Sequence, residues 1–179
     1  KWIKKHNPII YFTAAVDFVA THASKVVAIN FYPQLKQAYH SARVLAKVMD
    51  SKVMPSFVKE HWRFVVTTAA TIVVGTVTGS GAAAGFTSGF LGSAFNGGSY
   101  NDAVKAGTKG AIYGQITASL TSFVAGATNG IQNGLVQSGA KAVGHAAVQG
   151  TMAEVQGGDF WQGAAAGAIS GAASSNIDK

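Results

Sequence analysis

From Ala106 to Gly150 every fourth residue is small: Ala106, Gly110, Gly114, Ala118, Ser122, Gly126, Gly130, Gly134, Ser138, Ala142, Ala146 and Gly150. Gly163, Gly167 and Gly171 repeat the spacing further on. Residues four apart share a helix face, so the pattern predicts helices with a groove poor in side chains. Such a groove lets two backbones approach closely, which is how helices associate in lipid. In water a helical glycine costs about 1 kcal/mol relative to alanine, and close contact or lipid must offset that cost. Four residues turn about 400°, so the stripe drifts by about 40° per step and cannot be one straight seam. It predicts several shorter helices, broken near Asn129-Gly130 and near Gly139, either in a membrane or in a tightly packed soluble bundle.

A second feature narrows the choice. No residue from Phe64 to Asn101 is charged. The first part reads VVTTAATIVVGTVTG, which in water argues for a strand. In lipid a helix is the natural form, because backbone bonds must close within the segment. Phe64–Ala84 as one helix would measure about 31 Å, enough to cross a hydrocarbon core. Trp62 and Arg63 stand where an interfacial anchor would stand. Read as a hydrophobic hairpin, residues 64–95 offer Val65, Ile72, Val73, Val74, Val77, Phe86, Phe90 and Leu91 for insertion. The competing reading is a buried hairpin inside a soluble bundle.

Composition divides the chain at the same place. Its 179 residues carry a net charge of +7, and all of that excess lies in residues 1–63. Residues 64–179 are neutral overall. The prolines (Pro8, Pro33, Pro55) belong to the first part and the glycines to the second. Two parts follow: a basic amphipathic helical region, 1–63, and a neutral Gly/Ala-rich helical region, 64–179. The fold class expected is all-α.

Asn7-Pro8 predicts a helix start, with the helix running to about Ile29. Thr13, Asp17, Thr21 and Ser24 make a narrow polar stripe on an apolar cylinder, the pattern of a helix buried on most sides. Asp17, His22 and Lys25 interrupt the run, which excludes a signal peptide. Pro33 opens a second helix, to about Asp50, with Leu35, Tyr39, Ala42, Leu45 and Met49 on one face. Lys36, His40, Arg43 and Lys47 occupy the other face. Such a basic amphipathic helix lies on anionic lipid or forms the solvated face of a bundle. Pro55 starts a third helix carrying Lys59, Trp62 and Arg63. The docking set is therefore Lys36, Arg43, Lys47, Lys59, Trp62 and Arg63. The packing set is Gly110, Gly114, Gly126, Gly130, Gly134, Gly163, Gly167 and Gly171. Asn96-Gly97-Gly98-Ser99 and Gln156-Gly157-Gly158-Asp159 read as turns followed by caps, and suggest a repeated helical unit.

Catalytic patterns are scarce. With no cysteine there is no disulfide scaffold and no thiolate site. No phosphate-binding loop or nucleophile elbow occurs. Gly79-Ser80-Gly81-Ala82-Ala83-Ala84 fits a loose dinucleotide pattern, but a Gly-Gly turn rather than a strand leads to Asp102. His6, His22, His40, His61 and His145 lack metal-ligand spacing, so neither metal nor cofactor is expected. The enzymatic alternative is a nuclease-like group: His61 and Arg63 beside Glu60, or His145 with Glu154 or Asp159. Adjacent helix positions face apart, which weighs against Glu60 and His61. Tyr32, Tyr39 and Trp62 on a basic region could stack on bases, but no nucleic-acid motif is present and nucleic acid is not the expected partner.

The segment GHAAVQG (144–150), then QGGDFWQG (156–163) and GAAAGAISG (163–171), resembles the Gly-rich stretch near the C-terminus of Rhs/YD-repeat polymorphic toxins. The resemblance covers about residues 95–175. It implies a toxin region released from an Rhs β-cocoon, delivered by type VI or related secretion, and neutralised by a cognate immunity protein. Starting at Lys1, the chain is expected to be a processed piece of a longer protein. In this family the activity varies, and the Gly-rich stretch often only precedes an enzyme. The residues themselves favour a non-enzymatic, membrane-active chain that docks on anionic phospholipid and self-associates through the small-residue stripe. Joined to the resemblance, this implies a pore-forming toxin that depolarises the target cell's inner membrane. The alternatives are the nuclease-like toxin and a non-catalytic segment accompanying another toxin.

Overall fold

The computed structural model describes residues 8–156 and 159–177. Every regular element among them is an α-helix. In chain order these are α1 (Pro8–Asn30), α2 (Tyr32–Met49), α3 (Ser56–Thr78), α4 (Gly81–Phe95), α5 (Tyr100–Thr128), α6 (Gly134–Val155) and α7 (Phe160–Ile177). The protein is all-α.

Local chemistry sets the breaks. Pro33 lies in the first turn of α2, where its missing N–H costs nothing. Pro55, extended at ψ 148°, precedes α3. Gly79 ends α3 at φ +62°, a left-handed conformation that favours glycine. The Ser80 hydroxyl then accepts from the Ala83 N–H at 3.2 Å and caps α4. Before α5, Ser99 and Asp102 form a reciprocal capping box. The Asp102 carboxylate accepts from the Ser99 N–H at 3.0 Å and from its hydroxyl at 2.7 Å, while the Asp102 N–H donates to the Ser99 hydroxyl at 3.2 Å. Asn133 caps α6 through the Leu135 and Val136 N–H groups.

Two expectations need correction. The chain does break between Thr128 and Gly134, but Gly139 lies inside α6. A lone helical glycine lowers propensity without ending a helix that packing supports. Phe64–Ala84 is not one helix either, because Gly79 ends α3 at Thr78. The charge-free part of α3 is then about 22 Å long, short of a hydrocarbon core of about 30 Å. The β-branched run is helical nonetheless. Its threonines return their hydroxyls to the helix, Thr71 to the Thr67 carbonyl at 2.7 Å and Thr78 to that of Val74 at 2.6 Å.

The chain divides into two compact units. One comprises residues 14–115; the other comprises the described residues up to Thr13 and those from Ile116 onward. The compositional boundary at residue 63 falls inside α3. In the first unit α3 and α4 pack as a hairpin and α2 packs on both. Its core is Ala42 and Ala46 of α2, Trp62 of α3, Phe90, Ala94 and Phe95 of α4, and Ala103 and Val104 of α5. In the second unit α6 and α7 pack together along their length.

Candidate membrane-facing surfaces and glycine seams

Glycine shapes one seam in each unit. In the first, Gly85 and Gly89 of α4 meet Ala106, Gly110 and Gly114 of α5. A β-carbon on Gly85 would collide with the Gly110 carbonyl, and one on Gly110 with the Gly85 carbonyl. Gly89 stands in the same relation to Ala106, and Gly114 to the Gly81 carbonyl. In the second unit, Gly163, Gly167 and Gly171 of α7 face the carbonyls of Gln149, His145 and Lys141 on α6. There a β-carbon on Gly163 would lie 2.6 Å from the Ala153 β-carbon, and one on Gly171 would lie 2.8 Å from the Lys141 carbonyl. Side-chain-free contact of this kind is the small-xxx-small arrangement.

Five of the eight glycines in the packing set thus line seams. A β-carbon on Gly126 or Gly130 would meet open space, so these two do not line a seam. Gly134 is an exposed first residue of α6. Sequence reasoning missed Gly81, Gly85 and Gly89, the facing half of the first seam. Their spacing of four was the available signal, hidden inside the apolar run.

The apolar surfaces are arranged in an unusual way. Helix α1 buries Val16, Ala20 and Ser24 and turns Tyr11, Phe18, Val19, Val26 and Ile29 outward, Ile29 at 77% exposure. Its Asp17 carboxylate pairs with the Lys109 ammonium at 2.8 Å. The expectation that α1 is buried on most sides is therefore overturned: it buries one narrow stripe, Val16, Ala20 and Ser24, and exposes most of its large apolar side chains. Among the described residues, the stretch Tyr11–Asn30 is the one helix long and apolar enough to cross a membrane. On α3, Phe57, Phe64, Val65, Ile72, Val73 and Val77 are exposed and Val74 is half-buried. The α4 part of the proposed inserting set is less accessible. Phe86 and Leu91 are half-buried at the core's edge, and Phe90 is fully inside it.

Lys36, Arg43 and Arg63 of the docking set are engaged within the fold. Lys36 donates to the Tyr32 hydroxyl at 3.1 Å and sits 5.2 Å and 5.4 Å from the Tyr32 and Tyr100 ring centres. The hydrogen bond to Tyr32 pushes its pKa upward. Arg43 of α2 donates to the Ala94 carbonyl at 3.2 Å, and Arg63 of α3 to the Phe95 carbonyl at 3.4 Å. Arg63 also pairs with Asp50. Trp62 is corrected outright as an interfacial anchor: it is 3% exposed, packs edge-on against Phe95, and donates its indole N–H to Asp50 at 3.0 Å. Lys47 is exposed and Lys59 half-buried. The apolar face of α2, with Leu35, Tyr39, Leu45 and Met49, rests on the core of its own unit.

The nuclease-like groups do not converge. His61 is exposed, with its Nδ1 2.9 Å from the Phe57 carbonyl, whereas Arg63 turns to Asp50 and Phe95. His145 is half-buried, and its Nε2 is enclosed without a hydrogen-bond partner. Burial, and then the Lys141 charge, hold its pKa below the usual histidine value, favouring the neutral ring. Glu154 and Asp159 are exposed. The described residues contain no group of three His, Asp or Glu placed to hold a metal ion.

Comparison with protein-family models, curated proteins and solved structures yields no match for this chain.

Proposed function

We propose that this chain is the toxin domain of a secreted Rhs-type effector, a non-enzymatic protein that inserts into the inner membrane of a target bacterium and depolarises it through ion-permeable pores. The observation that carries the reading is the inverted surface of α1 and α3. Both helices turn large aliphatic and aromatic side chains to solvent, and of its described residues α1 buries only Val16, Ala20 and Ser24. Contiguous exposed apolar surface marks a partner or a membrane. The charge distribution favours a membrane, because the +7 excess over residues 1–63 is attracted to anionic phospholipid.

The glycine seams suit the same environment. Helices that meet through backbone rather than side chains hold together where water cannot drive them together. On this reading α1 and the α3–α4 hairpin enter the bilayer, and second copies of the chain can use the same kind of seam. The parent cocoon and the cognate immunity protein complete the proposal and rest on the resemblance alone. The test is expression in a bacterial host, directed to the cytoplasm or the periplasm, with a potential-sensitive dye. Rapid loss of membrane potential from either compartment supports the reading. Growth arrest with the potential intact contradicts it and favours an enzymatic toxin.

A further inference from the structure

If the hairpin enters lipid, it must first leave the partners that hold its base. Five side chains hold it. The turn after α4 satisfies the carbonyls of Gly92, Ser93 and Ala94 through the Asn96, Gly98 and Gly97 N–H groups, and α4 carries no basic residue in its last turn to offset the negative end of its dipole. The missing cations come from the neighbouring helices: Arg43 of α2 on Ala94, and Arg63 of α3 on Phe95. Asp50, at the end of α2, accepts from both Arg63 and the Trp62 indole. Tyr39 of α2 adds a bond from its hydroxyl to the Gly98 carbonyl at 2.9 Å. All of these contacts lie at the α4 C-terminus, and at the hairpin's other end is the Gly79-Ser80 turn.

We propose that Arg43, Asp50, Trp62 and Arg63 form a clasp that keeps the α3–α4 hairpin folded on α2 in water, and that anionic lipid phosphate opens it by drawing the two arginines away. The inference rests on the membrane-inserting reading and adds how insertion is held back. Its chemistry is exchange of partners. The Arg43 guanidinium, on one neutral carbonyl, gains from a phosphate, which offers charge and two oxygens in a matching plane. Arg63, already on the Asp50 carboxylate, exchanges one anionic partner for another. Once Arg63 leaves, Asp50 keeps only the indole. Opening then frees two surfaces together: the inner face of the hairpin, with Phe90, and the apolar face of α2, with Leu35, Tyr39 and Met49. The basic face of α2 is already outward at Lys47.

The experiment follows Trp62 itself. In a W2F/W161F background Trp62 is the sole tryptophan. The protein is mixed rapidly with phosphatidylethanolamine–phosphatidylglycerol vesicles that contain brominated acyl chains and an entrapped dye. Wild-type Trp62 is expected to become quenched by the brominated chains, and not to become quenched with phosphatidylcholine vesicles. Asp50→Asn and Arg43→Gln should speed the quenching about tenfold, the factor for one charge-assisted hydrogen bond. Asp50→Glu, which keeps the carboxylate, should stay near the wild-type rate. Circular dichroism before mixing shows that each variant is folded; if Asp50→Asn is not, Arg43→Gln leaves the Asp50–Trp62–Arg63 contacts in place and carries the test. Equal rates in all variants, or Trp62 unquenched in all of them, overturn the clasp whether or not dye escapes. Quenching with the expected rate order but no dye release supports the clasp and counts against the pore.

Discussion

The carbonyl of Gly110 occupies the space that a β-carbon on Gly85 would need, and the carbonyl of Gly85 occupies the space needed by one on Gly110. Each glycine is the other's reason for being small. Gly85→Ala or Gly110→Ala should therefore destabilise the first unit by about 1–3 kcal/mol, the usual cost of overpacking. Gly126, with nothing within 4 Å, should respond with the opposite sign. Gly126→Ala should gain up to about 1 kcal/mol from helix propensity and a stiffer unfolded chain. Urea unfolding of the three variants measures both signs in one experiment.

The second seam predicts a local effect. A β-carbon on Gly167 would collide with the His145 carbonyl, so Gly167→Ala should pry α7 from α6. Amide hydrogen exchange should then show protection falling across Gly134–Val155. Gly130→Ala, in open space, should leave that protection unchanged.

How far the sequence foretold these relationships depends on what a pattern can encode. Proline marked helix starts at Pro33 and Pro55, because a missing N–H is a property of the residue itself. Glycine misled twice: the apolar run reads as one helix through Gly79, whose positive φ ends α3, and Gly139 reads as a break but lies inside α6. The spacing of four identified Gly110, Gly114, Gly163, Gly167 and Gly171 as small-faced. It could not tell them from Gly126 and Gly130, since a small residue does not announce whether a neighbour comes close. Helix α1 shows the same gap. Periodicity located its polar stripe, but the side that faces protein depends on distant partners such as Lys109, ninety-two residues from Asp17. Trp62 looked like an anchor because it precedes the uncharged run. Its burial depends on Asp50 and Phe95, which no local pattern connects to it.

The Ser99–Asp102 capping box sets a pH dependence. Hydrogen bonds to Asp102 from the Ser99 hydroxyl, then from the Ser99 N–H, hold its carboxyl below the usual value of 3.8. The folded pKa is the lower one, so its stabilising effect is complete above the ordinary carboxylate range and is lost as pH falls through the folded value. Amide NMR signals of the first turn of α5 should show fraying as pH falls below the usual carboxylate value. Asp102→Asn should remove that acid-dependent step. Ser99→Ala should cost about 1 kcal/mol near neutrality through loss of the cap.

On the proposed membrane reading, the outward apolar face of α3 serves lipid rather than the fold. Ile72 and Val73 are 61% and 60% exposed, so replacing them should change stability in water by no more than about 0.5 kcal/mol. The measurement is release of a small entrapped dye from phosphatidylethanolamine–phosphatidylglycerol vesicles by the wild type and by Ile72→Asn/Val73→Asn. The account predicts release by the wild type and little release by the variant, at equal helicity in solution. Vesicles that stay sealed against the wild type, or that leak equally with both proteins, would contradict it.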